Sequence, residues 1–233
     1  METAVVEKEL KPQARQIGSA KDGKVRIAAI ADTHGQEFFR PPAEIFIHAG
    51  DMTAWGDWAE TAAVGRGLGQ ELYRAVLLVP GNHDNAFEDY PTAEAFPFLP
   101  NTHLLIDKAW EYRGLLFYGS PWTPFFEGLN PRWSAFMGTE EDLRRRFLNM
   151  PQEMDVLITH GPPKGILDND IGSVALREAI EKRLIRRHVF GHLHERGGES
   201  HLCQQADGSI RKSYNVAATG GKRSVCLPLE FKM

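Results

Sequence analysis

"VLLVPGNHDNAF", residues 76–87, decides how this chain is read. Its first half is a short apolar run rich in Val and Leu, closed by Pro80 and Gly81. That pattern describes a strand buried on both faces that stops abruptly. Gly, Asn and Asp favour turns, so Asn82-His83-Asp84 alone is an ordinary turn. It becomes chemistry only if other strands end in the same way, and they do. "VRIAAIADTHG" (25–35) runs into Asp32-Thr33-His34-Gly35, and "EIFIHAGDMT" (44–53) reaches Gly50-Asp51. "DVLITHGPP" (155–163) ends at His160-Gly161-Pro162-Pro163, and "RRHVFGHLHE" (186–195) ends at Gly191-His192-Leu193-His194. A sixth run, "GLLFYGSPW" (114–122), carries no such cluster.

Helical patterns lie between these strands. "DWAETAAVGRGLGQELYRA" (57–75) is Ala-rich and mildly amphipathic. "TEEDLRRRFLNM" (139–150) opens with Thr139 as N-cap and acids in its first turn. "SVALREAIEKRL" (173–184) places Val174, Leu176, Ala179, Ile180 and Leu184 on one stripe, with Ser173 as cap. Strands alternating with helices predict an α/β fold. The tail, from "SIRKSYNVAATGGKRSVCLPLEFKM", reads as two strands joined by a Gly-Gly turn, which predicts a mixed sheet.

At 233 residues the chain can bury a substantial core without a disulfide or metal staple. Residues 1–23 read as a loosely held N-terminal segment, lacking the apolar centre of a secretory signal, and 24–233 as a single domain. Hydrophobic residues make up 42% and charged residues 25%, ordinary for a soluble domain. A net charge of -4 gives no electrostatic footprint for duplex DNA or an anionic membrane, and makes a nucleic-acid polymer an unexpected partner. Cys203 and Cys226 form no disulfide framework. No apolar stretch approaches the roughly 20 residues of a membrane span. A reducing, cytoplasmic setting is the expectation. Oligomeric state is not readable from the sequence.

In open α/β sheets, ligands gather beyond the carboxyl ends of the strands. Five strands here deliver Asp, His and Asn to that one rim. Asp32 and His34 are two apart, as are His192 and His194, so in extended backbone each pair converges on one point. The collected set is Asp32, His34, Asp51, Asn82, His160, His192 and His194, which offers oxygen and imidazole nitrogen but no thiolate. Such donors suit Mn, Fe or Zn and argue against a structural cysteine-zinc site. The set is too large for one catalytic ion that keeps positions open, but fits two ions roughly 3.5–4 Å apart sharing a bridge. With only two carboxylates against two divalent cations, the centre keeps a net positive charge even with a bridging hydroxide, an attractive seat for phosphate.

The ordered blocks "DTH", "GD", "GNHD", "THGPP" and "GHLH" resemble the calcineurin-like metallophosphoesterase superfamily over roughly residues 25–195. "HAGD", "YGSPWTPFF" and "THGPP" further resemble its metallophosphoesterase-domain-containing subgroup. The resemblance implies a four-layer αββα sandwich of two mixed sheets flanked by helices, with the dimetal site at the carboxyl ends of the strands. It implies that Asp32, His34 and His194 hold one ion, that Asn82, His160 and His192 hold the other, and that Asp51 bridges them. The ions would be Mn2+ and/or Fe, with Zn2+, Ni2+ or Co2+ as alternatives. His83 would sit beside the phosphate with Asn82, as a proton donor or a charge on the leaving oxygen. Asp84 would hydrogen-bond His83 and favour its protonated form.

The expected activity is hydrolysis of a small nucleotide-like or cyclic-nucleotide-like phosphodiester, by in-line attack of a metal-bridging hydroxide. Two alternatives stand beside it: a phosphomonoesterase or protein phosphatase, and an inactive scaffold with the same fold. His48 has opposite strand parity to Asp51 and reads as a buried, supporting residue. His103, His188 and His201 read as ordinary surface or core residues. "SPWTPFFEGLNPRWSAF" (120–136) holds Trp122, Phe125, Phe126, Trp133 and Phe136. It reads either as an apolar segment capping the core or as a platform for an aromatic leaving group. Arg132 reads as a solvated loop charge, and "EKRLIRR" (181–187) as the exposed end of a helix.

Overall fold

All six apolar runs form strands in the computed structural model, which describes residues 24–68, 72–126, 128, 130–218 and 227–232. The first half holds β1 (Lys24–Ile30), β2 (Ile45–Ala49), α1 (Trp58–Arg66), β3 (Ala75–Val79), α2 (Asn85–Asp89), β4 (Thr102–Leu104), β5 (Lys108–Tyr112) and β6 (Leu115–Ser120). It continues with β7 (Thr123–Pro124), β8 (Met137–Gly138), α3 (Glu140–Phe147), β9 (Glu153–Thr159), α4 (Val174–Glu181) and β10 (Leu184–Phe190). The last strands are β11 (Ser200–Gln204), β12 (Ile210–Asn215) and β13 (Leu227–Lys232).

Two mixed sheets result, in strand orders β13-β1-β2-β3-β4 and β11-β12-β10-β9-β6-β5, with β7 and β8 as a separate pair. The strands that end in polar clusters are parallel neighbours: β1, β2 and β3 in one sheet, β9 and β10 in the other. Their carboxyl ends therefore share an edge within each sheet. The sheets pack face to face through Ile27, Ile47, Leu77 and Val79 from the first and Phe117, Val156, Ile158 and Val189 from the second. Ile30, Phe46 and Leu78 on the outer face of the first sheet pack with Phe87 of α2 and Val64 of α1. Leu157 and Phe190 on the outer face of the second meet Leu143 and Phe147 of α3 and Leu176 and Ile180 of α4. The expected αββα layering follows. Both faces of each sheet are covered, which is why β2 and β3 are buried at every position rather than alternating. Each large apolar side chain sealed here contributes roughly 1.5–3 kcal/mol.

Capping fixes the helices as the sequence suggests. Thr139 and Asp142 form a reciprocal capping box at α3, and the Ser173 hydroxyl accepts from the Leu176 N–H at 3.0 Å. Glu140 adds a tie between helices, its carboxylate accepting from Val174 N and Ala175 N at 2.9 and 2.8 Å.

Four expectations need correction. The helix after Asp57 stops at Arg66, with Gly67 as its C-cap, because glycine is a poor helix former and caps well. Leu184 lies not on the α4 stripe but at the start of β10, so the basic run 181–187 crosses from helix into strand. Arg183 in that run is buried, donating to the carbonyls of Met150, Ala179 and Phe147. The tail does form two strands, but they are not a hairpin: β12 lies beside β10, whereas β13 pairs antiparallel with β1 in the other sheet. The Gly-Gly turn between them, Cys226 and the N-terminal segment 1–23 lie outside the described residues. Among the described residues no helix is long and apolar enough to cross a membrane.

Candidate metal centre

The strand ends bring the predicted donors together. Asp32, His34 and His194 offer atoms within 4.8 Å of one another, as do Asp51, His160 and His192. Asp51 stands between the two groups. Its Oδ2 lies 3.9 Å from His34 Nε2, while its Oδ1 lies 3.4 Å from His160 Nε2. Asn82 joins the second group, its Oδ1 3.0 Å from His160 Nε2, and its amide donates to the Trp133 carbonyl at 3.0 Å. The carbonyl oxygen of Asn82 is thus turned toward the imidazoles. His83 also comes within 4.8 Å of His34 and Asp51, which places it on the inner side of the site.

The pairs convene differently from the extended-backbone expectation. His192 and His194 separate, one into each group. The reason is local: His192 has φ +70°, with Asp32, His34 and Asp51 at +56°, +46° and +54°. These left-handed residues turn the chain at the strand ends, so strand parity no longer governs direction. Such backbone is costly for non-glycine residues and collects at functional sites. The two N–H···O contacts from His192 N to the Asp32 carboxylate, at 3.0 and 2.9 Å, help hold this turn.

Orientation comes from one loop. His160 donates its Nδ1–H to the Ala49 carbonyl at 3.0 Å, His34 to Thr53 at 3.2 Å, and His83 to Ala54 at 2.8 Å. A carbonyl only accepts, so each Nδ1 carries a proton and each Nε2 faces inward, where it offers a lone pair in the neutral ring or a second proton in the charged one. The β2 exit loop, residues 49–54, therefore sets three rings. Backbone carbonyls behind ligating histidines fix tautomer and direction in metal sites generally.

Asp84 plays a different part from the one expected. It is fully buried and accepts from Gly81 N, Met52 N, Thr53 N and the Thr53 hydroxyl at 2.9, 3.2, 3.0 and 2.7 Å. His83 is not among its partners and bonds Ala54 instead. Four donors from two loops saturate the carboxylate, which staples the β2 exit to the β3 exit. At Gly81 the chains approach so closely that a Cβ would lie 2.2 Å from Asp51 Oδ1.

The electrostatics favour a cation. Burial would raise the Asp51 carboxyl, yet His160, His83 and His34 around it hold it well below the usual range. Burial opposes charge on His160, but Asp51 and Asp32 outweigh it and lift the imidazole to about 9. His194 is raised through its hydrogen bond to Asp32. The inward nitrogens of His34 and His194 face each other at 3.2 Å, as do His160 Nε2 and His192 Nδ1. Nitrogens set so close, beside two carboxylates, are held together by positive charge between them, a shared proton or a cation, and nitrogen-oxygen donors without thiolate suit divalent ions. The residues present fit a metal.

The remaining histidines separate cleanly. His48 is fully buried outside the donor groups, its Nε2 3.0 Å from the hydroxyl of Thr33, between Asp32 and His34. His188 repeats this arrangement in the second sheet, 2.9 Å from the hydroxyl of Thr159, next to His160. Neither threonine carried a signal in the sequence. Of the aromatic segment, Trp122 and Phe136 pack inward together, whereas Phe126 meets the edge of His192 at 5.7 Å. Trp133 lies flat on His83, with centroids 4.7 Å apart. The segment both caps the core and walls the site.

Comparison with known proteins agrees with this geometry. Residues 25–196 match the family described as calcineurin-like phosphoesterase, and the chain belongs to it. Membership supports metal-dependent hydrolysis of phosphoesters. Metallophosphoesterase domain-containing protein 1 of Homo sapiens is 31% identical over 204 residues, covering 74% of this chain and 61% of that protein. The chain thus spans less than two thirds of that relative. A UPF0046 protein of Caenorhabditis elegans is 29% identical over 205 residues, covering 76% of this chain and 71% of that protein. The crystal structure of TT1561 of Thermus thermophilus superposes with TM-score 0.58 at 15% identity, over 82% of this chain and 89% of that one, which supports the fold.

Proposed function

We propose that the protein is a phosphodiesterase of small nucleotide-like esters that works with two divalent ions, Mn2+ or Fe foremost. The observation that carries this reading is Asp51, whose two oxygens face two separate donor groups. Asp32, His34 and His194 would hold one ion, Asn82, His160 and His192 the other, with Asp51 between. Bound there, the ions would supply Lewis-acid stabilisation of phosphoryl charge and lower the pKa of water.

The protein's own residues do the rest. His83 presents Nε2 3.9 Å from Asp51 Oδ2, on the inner side of the site, with its ring held by Ala54 and Trp133. From there it protonates or polarises the leaving oxygen. The preference for diesters draws on the likeness of "HAGD" and "THGPP" to the metallophosphoesterase-domain-containing subgroup, and a cytoplasmic setting is part of the same reading.

Hydrolysis of bis-p-nitrophenyl phosphate and p-nitrophenyl phosphate by one Mn2+-loaded preparation tests it. Faster turnover of the diester is expected. No turnover with Mn, Fe, Ni, Co or Zn would refute the hydrolase, and a faster monoester would refute the diester preference.

A further inference from the structure

Close to His83 lies a cleft of about 450 Å³ lined by Trp55, Asp57, Asn85 and Arg132. This volume falls within the roughly 300–1,000 Å³ of small-molecule sites. The cleft adjoins the reactive centre through a run of neighbouring aromatic rings. His83 lies on Trp133 at 4.7 Å, and Trp133 meets Trp55 at 6.2 Å.

Trp55 is 60% exposed, yet it does not sit on a loose loop. The Glu60 carboxylate accepts from the N–H groups of Ala54, Trp55 and Gly56 at 2.8, 2.7 and 2.9 Å. Gly56 has φ +74° and comes so near the His83 carbonyl that a Cβ would lie 2.0 Å from it. Asn85 closes the opposite side, its amide donating to the carbonyls of Trp55 and Arg132 at 3.3 and 2.8 Å. A large aromatic face is thus held toward solvent by three backbone contacts at its root. Arg132 faces the same cleft with its guanidinium in no ion pair among the described residues, although its backbone is fixed by Asn130. A rigid exposed indole sharing a cleft with a planar cation that has no ion pair among the described residues matches a flat heteroaromatic ring with acceptor atoms on its edge.

We propose that this cleft seats the nucleobase of the substrate, with Trp55 stacking on the base and Arg132 engaging its acceptor edge. The assignment rests on the phosphodiesterase reading for the position of the phosphate, and it makes Trp55 and Arg132 determinants of specificity rather than of chemistry. It also relocates recognition: the stacking surface is the loop after β2, not the exposed Phe125 of the aromatic segment.

Calorimetric titration of adenosine 5′-monophosphate and ribose 5-phosphate into Mn2+-loaded protein tests the proposal. The nucleotide is expected to bind at least about tenfold tighter than the sugar phosphate, the scale of one base stacked on an aromatic ring. Trp55→Ala should remove that difference while leaving ribose 5-phosphate affinity unchanged, and Arg132→Ala should reduce it. Equal affinities in the wild type, or a preference that survives Trp55→Ala, would overturn the assignment. Turnover of bis-p-nitrophenyl phosphate by the same preparation separates the two ideas. A base preference without turnover removes the hydrolase and keeps the cleft, and turnover without a base preference does the reverse.

Discussion

His160 donates to the backbone carbonyl of Ala49 at 3.0 Å across 111 residues of sequence, and this bond joins the two sheets at the rim. It turns Nε2 toward Asp51 and Asn82, so an imidazole from the second sheet completes a site founded on the first. Asp51 is then the residue on which both donor groups depend. Asp51→Asn should lower bound Mn2+ from two ions to fewer than one per chain and reduce turnover by about 100-fold or more, since one neutral amide cannot serve two cations. Elemental analysis of reconstituted protein gives the count. Two ions retained by the variant would remove Asp51 from its proposed place.

His83 should behave in the opposite way. Its ring is held by Ala54 and Trp133, and it belongs to neither the Asp32-His34-His194 group nor the Asp51-His160-His192 group. His83→Ala should keep its metal and lose roughly 10²–10⁴-fold in kcat, most for esters with poor leaving groups. Loss of metal alongside activity would make it a ligand instead.

The grouping of these side chains was legible in the sequence because candidate donors come from few residue types, and each followed a short apolar run of strand character. What fixes those donors was not. Ala49, Thr53 and Ala54 orient three imidazoles through carbonyl oxygens, and a carbonyl is present at every position whatever the residue. The i, i+2 argument placed Asp32 with His34 but failed for His192 and His194, because the left-handed turn at His192 is set by its contact with Asp32 from the other sheet. Short strands such as β4 and β7 were missed for a related reason: pairing partners, not their own residues, make them strands.

Asp84 offers a test that distinguishes a staple from a catalyst. Removing its carboxylate leaves three backbone N–H groups from two loops without an acceptor, while the Thr53 hydroxyl keeps the His83 carbonyl at 3.1 Å. Asp84→Ala should destabilise the metal-free protein by roughly 3 kcal/mol or more, given about 1–3 kcal/mol for each buried group left unsatisfied and partial rescue by water. Urea unfolding monitored by circular dichroism measures this. Full stability with lost turnover would restore Asp84 to the chemistry.

The two buried Thr-His pairs predict an acid limb of stability. Burial, together with the nearby Arg211 charge, holds His188 well below its ordinary 6.5, and burial lowers His48 to about 4. Both are neutral in the fold at pH 7, whereas the unfolded chain protonates them near pH 6.5. Below that value the unfolded state binds more protons, so stability is complete above about pH 6.5 and falls as pH drops. The His48 contribution runs out near pH 4 and amounts to about 3 kcal/mol at most. His160 and His194 are shifted upward and carry the opposite sign, so they cannot produce this loss, whereas His192, lowered to about 4 by its burial, adds to it. His188→Gln keeps a side-chain N–H for Thr159 but has nothing to titrate. Between pH 7.5 and 5.0, chelator-treated His188→Gln should lose less stability than the wild type, because the suppressed proton uptake of His188 is absent from it. An identical loss in both proteins would show that His188 is not held neutral by its burial.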